Sequence, residues 1–184
     1  MRELSLNVMD VAQNSVRAQA KLITISVEED RHNHTMNISI KDDGCGMTEE
    51  QIEQVIDPFF TTRTTRKVGL GVPLFKLSAE QTGGSFDIKS KLKEGTVTTA
   101  KYNTDHVDMT PLGDINSTIS ILIRCNPDID FVFIHSVDEN SFTLDTRELR
   151  EVLGDVSLDN ADVIKWIEEF LDEQTQIIYG GAKS

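Results

Sequence analysis

Hydrophobic and polar positions along the chain change period several times, and each change predicts an element. Over residues 5–20 the apolar Leu6, Met9, Val11, Ala12, Val16 and Ala20 recur at three-and-four spacing. Asn7, Asp10, Asn14 and Arg17 fall along one polar stripe, so the segment predicts an amphipathic helix. Residues 22–28 and 36–41 alternate with period two around a polar turn at 29–34, which predicts a hairpin. Thr48 followed by Gln51 is a capping-box pattern ahead of a helix over 49–56.

Residues 57–71 keep no period and are rich in Thr, Arg and Lys, as a mobile polar loop would be. Pro73 predicts the first position of a helix to about Gln81, stopped by Gly83-Gly84. Ser85–Lys91 and Thr96–Tyr102 alternate as a second hairpin around Glu94-Gly95. Beyond a loop at 103–115, Thr118–Arg124, Asp130–Val137 and Ser141–Leu144 read as strands. Asp145 or Thr146 and then Asp159 or Asn160 cap two helices, to Leu153 and to about Gln174, the second with Val163, Trp166, Ile167 and Phe170 on one face.

Composition changes this picture at one point, which is charge. The 184 residues carry a net charge of −13, which opposes non-specific binding to nucleic acid or an anionic membrane. The imbalance is uneven: residues 1–102 hold 14 acidic and 13 basic side chains, and residues 103–184 hold 17 and 5. That shift predicts a boundary near 102, between a near-neutral core and an acidic C-terminal extension. The acidic part reads either as a solvated face or as a docking surface for a basic partner, with Trp166, Phe170 and Leu171 as packing or anchoring groups.

Cys45 and Cys125 make no disulfide framework or metal spacing and read as small core fillers. His32-Asn33-His34 reads as a turn between strands rather than a metal site. No apolar signal core or spanning run is visible, and a cytoplasmic location is expected.

Three segments carry candidate chemistry. Asp10 and Asn14, four apart on a helix, project side by side: an amide oxygen suits Mg²⁺ and a carboxylate suits proton transfer. Asp42-x-Gly44-x-Gly46 at a strand end offers an acceptor for an exocyclic amine beside backbone that a planar ligand can approach. Gly69-Leu70-Gly71 before a helix offers amides to phosphate, with Arg63, Arg66 and Lys67 nearby. Taken singly, each has an ordinary structural explanation as a solvated helix face, a turn or a loop; their order and spacing carry the reading.

Taken together, residues 4–102 resemble the ATP-binding domain of the GHKL superfamily, shared by gyrase-type topoisomerases, Hsp90, histidine kinases and MutL. Asp10–Ala18 is similar to the N box, Asp42–Met47 to the G1 box, Asp57–Thr62 to the F box and Gly69–Gly71 to the G2 box. Gly83-Gly84 and Glu94-Gly95-Thr96 resemble the last signature. The resemblance implies an α/β (α+β) two-layer sandwich of the Bergerat type, with a mixed, mainly antiparallel sheet under helices 5–20, 49–56 and 73–81. C-terminal strands would extend that sheet.

The resemblance also implies ATP and Mg²⁺ as ligands. Asn14 would hold Mg²⁺, Arg17 would touch phosphate, and Asp42 would accept from the adenine amino group. Gly44, Gly46 and Met47 would line the base pocket, with Thr96 in support. Gly69, Leu70 and Gly71 would cradle phosphate, with Arg63 and Lys67 in the lid. Asp10 would be the catalytic carboxylate, although the ATPase and serine-kinase members carry Glu there; Val72 stands where Leu is usual. The implied roles are a regulatory or kinase-like subunit acting on a protein partner, an anti-sigma-type serine kinase, or a slow ATPase. A nucleotide-sensing subunit of a hydrogenase-like redox complex is a further alternative.

Overall fold

A computed structural model of the chain describes residues 3–61 and 70–180. The elements in order are α1 (Leu4–Arg17), β1 (Leu22–Asp30), β2 (Thr35–Asp42), α2 (Glu49–Val55) and α3 (Pro58–Thr61). They continue with α4 (Gly71–Glu80), β3 (Ser85–Lys91), β4 (Gly95–Asn103), α5 (Ile115–Cys125), β5 (Asp130–Val137), β6 (Asn140–Asp145), α6 (Thr146–Leu153) and α7 (Ala161–Ile178). The six strands form one sheet in the order β3-β4-β2-β1-β5-β6. All neighbours are antiparallel except β1 and β5, which run parallel with Ile23 opposite Phe131 and Ile25 opposite Phe133.

Period-two alternation divides the sheet into two faces. Ile23, Ile25 and Val27 of β1, Ile38 and Ile40 of β2 and Phe131 and Phe133 of β5 are buried on one face. α1, α4, α5 and α7 pack over that face, and their buried side chains join the same core. The opposite face carries residues such as Thr24, Ser26, Ser39, Lys41, Asp87 and Lys89. The result is the expected two-layer, mixed and mainly antiparallel α/β sandwich. The C-terminal strands extend the sheet as the sequence implies.

Four expectations need correction. Thr118–Arg124 is the middle of helix α5, not a strand. The alternation of Thr118 and Ser120 with Ile119 and Ile121 imitates a strand, but Ile115, Ile119, Leu122 and Ile123 share one buried helical face. Asp114 caps it, its carboxylate accepting the Ser117 N–H at 3.0 Å. The covering layer is also different: α2 buries none of its residues and borders the sheet, while α5 and α7 supply cover.

Asn7 lies not on a solvated stripe but wholly inside, with neither side-chain polar atom hydrogen-bonded. Both cysteines are exposed rather than core fillers. Smaller differences lie around the loop at 57–71. Pro58 opens the single turn α3, with Asp57 accepting the Phe59 N–H at 2.9 Å. α4 starts at Gly71, so Pro73 is its third residue, still within the turn where a missing N–H costs nothing.

The capping box at Thr48 and Gln51 is present with both of its hydrogen bonds. Asp145 and Asn160 cap α6 and α7, the latter running on to Ile178. Among the described residues, no helix is long and apolar enough to cross a membrane.

Candidate functional site

A cleft of about 310 Å³ opens between α1, the end of β2 and strands β3 and β4. Its walls are apolar, from Val11, Met47, Val55, Val72 and Ile88, and Asp42 stands among them. Strand register explains why. Asp42 is the last residue of β2 and lies on the helix-covered face, cross-strand from Thr96 of β4, whose neighbour Ser90 comes from β3.

Asp42 is only 8% exposed, and both carboxylate oxygens are held. Ser15 donates its hydroxyl to Oδ2 at 2.6 Å, and the Gly44 N–H donates to Oδ1 at 2.8 Å. Two charge-assisted bonds fix the carboxylate in one orientation while each oxygen keeps a free lone pair. Beside it, Ser90 and Thr96 share a hydroxyl–hydroxyl bond at 2.7 Å, and Ser90 Oγ accepts the Met47 N–H at 2.8 Å.

The Asp42–Met47 segment is strapped down on both sides. The Cys45 N–H donates to the Ala18 carbonyl at 2.9 Å, and the Cys45 carbonyl accepts from the Lys93 N–H at 2.7 Å. Asp43 accepts from the N–H groups of Lys21 and Leu22. Gly46 has φ of +72°, and a Cβ there would lie 2.0 Å from the Lys91 carbonyl oxygen, so only glycine allows this crossing. Gly44 is not among the residues lining the cleft. Its missing side chain is required by Ala18, 2.8 Å from where a Cβ would be.

α1 sets three further groups along one face. Asn14 and Arg17 line the cleft, and the Arg17 guanidinium donates to Asn14 Oδ1. Asp10 is one turn earlier, outside the cleft lining, at the meeting of α1 with the start of α4. A Cβ on Gly71 would lie 2.7 Å from Asp10 Cβ, so glycine is what lets the helices approach this closely. Partial desolvation raises the Asp10 carboxyl above its ordinary pKa, with the Arg17 charge opposing.

At the N-terminus of α4, Leu70 is the capping residue without a side-chain bond, and Gly71 and Val72 are its first helical residues. Their amides have no partner within the helix and lie at its positive end. Gly69, Arg63 and Lys67 lie outside the described residues, as does Arg66.

Asp42, Gly46, Met47, Thr96, Asn14 and Arg17 therefore converge on one cleft, with Asp10 and Gly71 meeting at its side. Sequence reasoning missed Ser15, Ser90, Thr98 and the apolar walls other than Met47. Ser15 had one signal: it follows Asn14 on a helix whose next face is buried. Ser90 had none, because only the register of β3 against β4 brings it to the cleft. No group of three His, Cys, Asp or Glu side chains suited to a metal ion occurs among the described residues.

A family model described as histidine kinase-, DNA gyrase B- and HSP90-like ATPase matches residues 2–106, and the chain belongs to that family. It is 35% identical over 101 residues to the sensor protein SrrB of Staphylococcus aureus, covering 52% of this chain and 17% of that one. Against sporulation kinase B of Bacillus subtilis it is 30% identical over 106 residues, or 56% and 24% of the two chains. The chain thus spans a quarter or less of these relatives. The N-terminal domain of a DNA repair protein has the same fold, with a TM-score of 0.55 at 12% identity over 79% of this chain and 53% of that one.

Proposed function

We propose that this member of the histidine kinase-, gyrase- and HSP90-like ATPases binds ATP with Mg²⁺ and acts as a regulatory or kinase-like subunit on a partner protein. The observation that carries the reading is Asp42: a buried carboxylate, oriented by Ser15 and Gly44, in an apolar slot sized for a planar base. Its remaining lone pairs suit the exocyclic amine of adenine, and Thr96 lies across the strand to complete the contact. The slot wall from Val11, Val72 and Ile88 excludes water from the base.

The donor set at the open end fits Mg²⁺. Asn14 offers one neutral oxygen, and this ion takes few protein ligands when phosphate and water supply the rest. Bound there, the ion would neutralise charge between phosphate groups. Arg17 holds the Asn14 amide in place and faces the same space. The first amides of α4, those of Gly71 and Val72, add partial positive charge, and Arg63, Lys67 and Gly69 complete the phosphate side of the proposal.

Asp10 is the proposed general base. Its raised pKa makes the ionised carboxylate a better proton acceptor than an exposed aspartate. It would take the proton from a partner hydroxyl as that oxygen attacks the terminal phosphorus, while the bond to the bridging oxygen of ADP breaks. The core over 1–102 would do this chemistry, and the acidic extension over 103–184 would hold the partner.

Calorimetry with ATP and Mg²⁺ tests the pocket: saturable binding, lost in Asp42→Ala, is expected, and no heat at millimolar ATP would reject it. Labelled ATP then separates transfer from sensing. Transfer to a partner protein that Asp10→Asn abolishes while ATP binding persists supports the kinase; binding with neither transfer nor phosphate release supports a nucleotide-sensing regulator.

A further inference from the structure

At the far edge of the sheet, α6 and α7 leave a groove of about 620 Å³ between them. α6 is amphipathic, yet Thr146 is the one residue it buries. Leu149 and Leu153, partly buried against the edge of the core, and the exposed Val152 line the groove at three-and-four spacing. Trp166 and Phe170 of α7 form the other wall, their rings stacked at 5.1 Å and 14°. Val152 is 85% and Trp166 48% exposed, so apolar surface is presented here that the fold does not use.

The rim is acidic. Glu148 and Asp162 line the groove, and neither has an ion-pair partner among the described residues. The cations of α6 are already paired. Arg147 neutralises Asp145, a third acidic residue of the lining, at 2.8 Å, and Arg150 is turned away to Asp130 at 2.6 Å. On α7, Lys165 is the single cation, and it does not line the groove.

We propose that this groove receives a basic amphipathic helix of a partner protein. The inference rests on the reading that the chain acts on another protein, and it names the surface and the chemistry of contact. A second copy of this chain fits badly, because it would set Glu148 and Asp162 against like charges on a molecule of net charge −13. A partner with lysine or arginine beside its apolar stripe meets both the slot and the rim. α6 has eight residues and is about 12 Å long, enough for two turns of a partner helix with anchors at i, i+3 or i+4, and i+7. The Trp166–Phe170 plate is the natural central anchor site, since buried aromatic contacts dominate such interfaces.

The probe is a synthetic leucine–lysine peptide of about 14 residues with its leucines on one helical face. Trp166 is the chain's single tryptophan, so its emission reports the groove directly. A saturable blue shift is expected with this peptide. Binding should be at least ~10-fold weaker for a peptide with glutamate in place of lysine, and for one with the same leucines scattered off one face. Calorimetry should show a similar loss in Val152→Asn, a change at a position too exposed to disturb folding.

Equal binding of the scattered or acidic peptide, or unchanged affinity in Val152→Asn, would overturn the proposal. So would a Trp166 shift produced by protein concentration alone, with dimers in the ultracentrifuge. ATP titrations in parallel keep the two readings apart. Peptide binding that survives Asp42→Ala supports the groove whatever happens to ATP. ATP binding without peptide binding rejects the groove alone.

Discussion

His135 offers the sharpest quantitative test of the packing. It is 1% exposed on β5, neither ring nitrogen has a hydrogen-bond partner, and its ring packs against Phe133, Phe142 and Tyr179. Burial is the one influence acting on its titration, and the neighbouring Tyr179 directs its hydroxyl away, donating to the Glu29 carboxylate at 2.8 Å. Burial lowers the His135 pKa from 6.5 to about 4. The folded chain therefore refuses a proton that the unfolded chain accepts between those values. Stability is full above pH 6.5, falls as pH drops towards 4, and is insensitive to this group below that.

The slope is about 1.4 kcal/mol per pH unit, so roughly 2 kcal/mol disappears between pH 6.5 and pH 5. Asp30, Asp138 and Asp145 have lowered pKa values and lose their stabilising charge only at pH values below this window. His135→Phe removes the titration and keeps the aromatic contacts. Urea unfolding of both proteins, followed by Trp166 emission from pH 5 to 7.5, should show the variant gaining about 2 kcal/mol on the parent as pH falls. A constant difference over that range would mean that the ring is hydrated or paired in solution, and the burial argument would fail.

The other predictions concern the cleft and the sheet edge. Ser15→Ala removes a buried bond to a carboxylate, so ATP affinity should drop about 10-fold, near 1.5 kcal/mol, while the circular dichroism spectrum stays the same. Gly71→Ala puts a methyl 2.7 Å from Asp10 Cβ and should cost about 1–3 kcal/mol in urea unfolding; an unchanged midpoint would show that α1 and α4 are less closely apposed. Arg150→Met frees Asp130 and the carbonyls of Pro127 and Ile129, and a loss of about 1–2 kcal/mol is expected at low salt.

How far the chain could be read in advance depended on what fixes each feature. The cleft residues Asn14, Asp42 and Gly46 announce themselves because local geometry demands them: a helix face, a strand end and a positive φ. Ser15 and Ser90 do not, since each acquires its partner only when strands and helix assemble. The misreading of α5 has a different cause. Ile and Thr favour strands locally, and the seven-residue stretch supports both periods until Ile115 and the Asp114 cap are counted with it. Asn7 defeats any pattern argument, because a polar residue at helical spacing with Asp10 and Asn14 reads as solvated, yet it lies against the core.

Charge placement gives the two sites different dependences on salt and mutation. A net charge of −13 would repel a nucleotide polyphosphate if it were spread evenly, but the surplus belongs to residues 103–184. β2, which ends at Asp42, is three strand spacings from β6, which carries the groove, or about 14 Å. Screening at physiological salt acts over about 8 Å, so exposed groove carboxylates barely reach the cleft. Glu148→Gln with Asp162→Asn should therefore leave ATP affinity within about twofold while weakening the basic peptide several-fold, most at low salt. If the pair instead tightened ATP binding strongly, the sheet would not be insulating its two edges, and the division of labour along this chain would have to be sought in conformation rather than in distance.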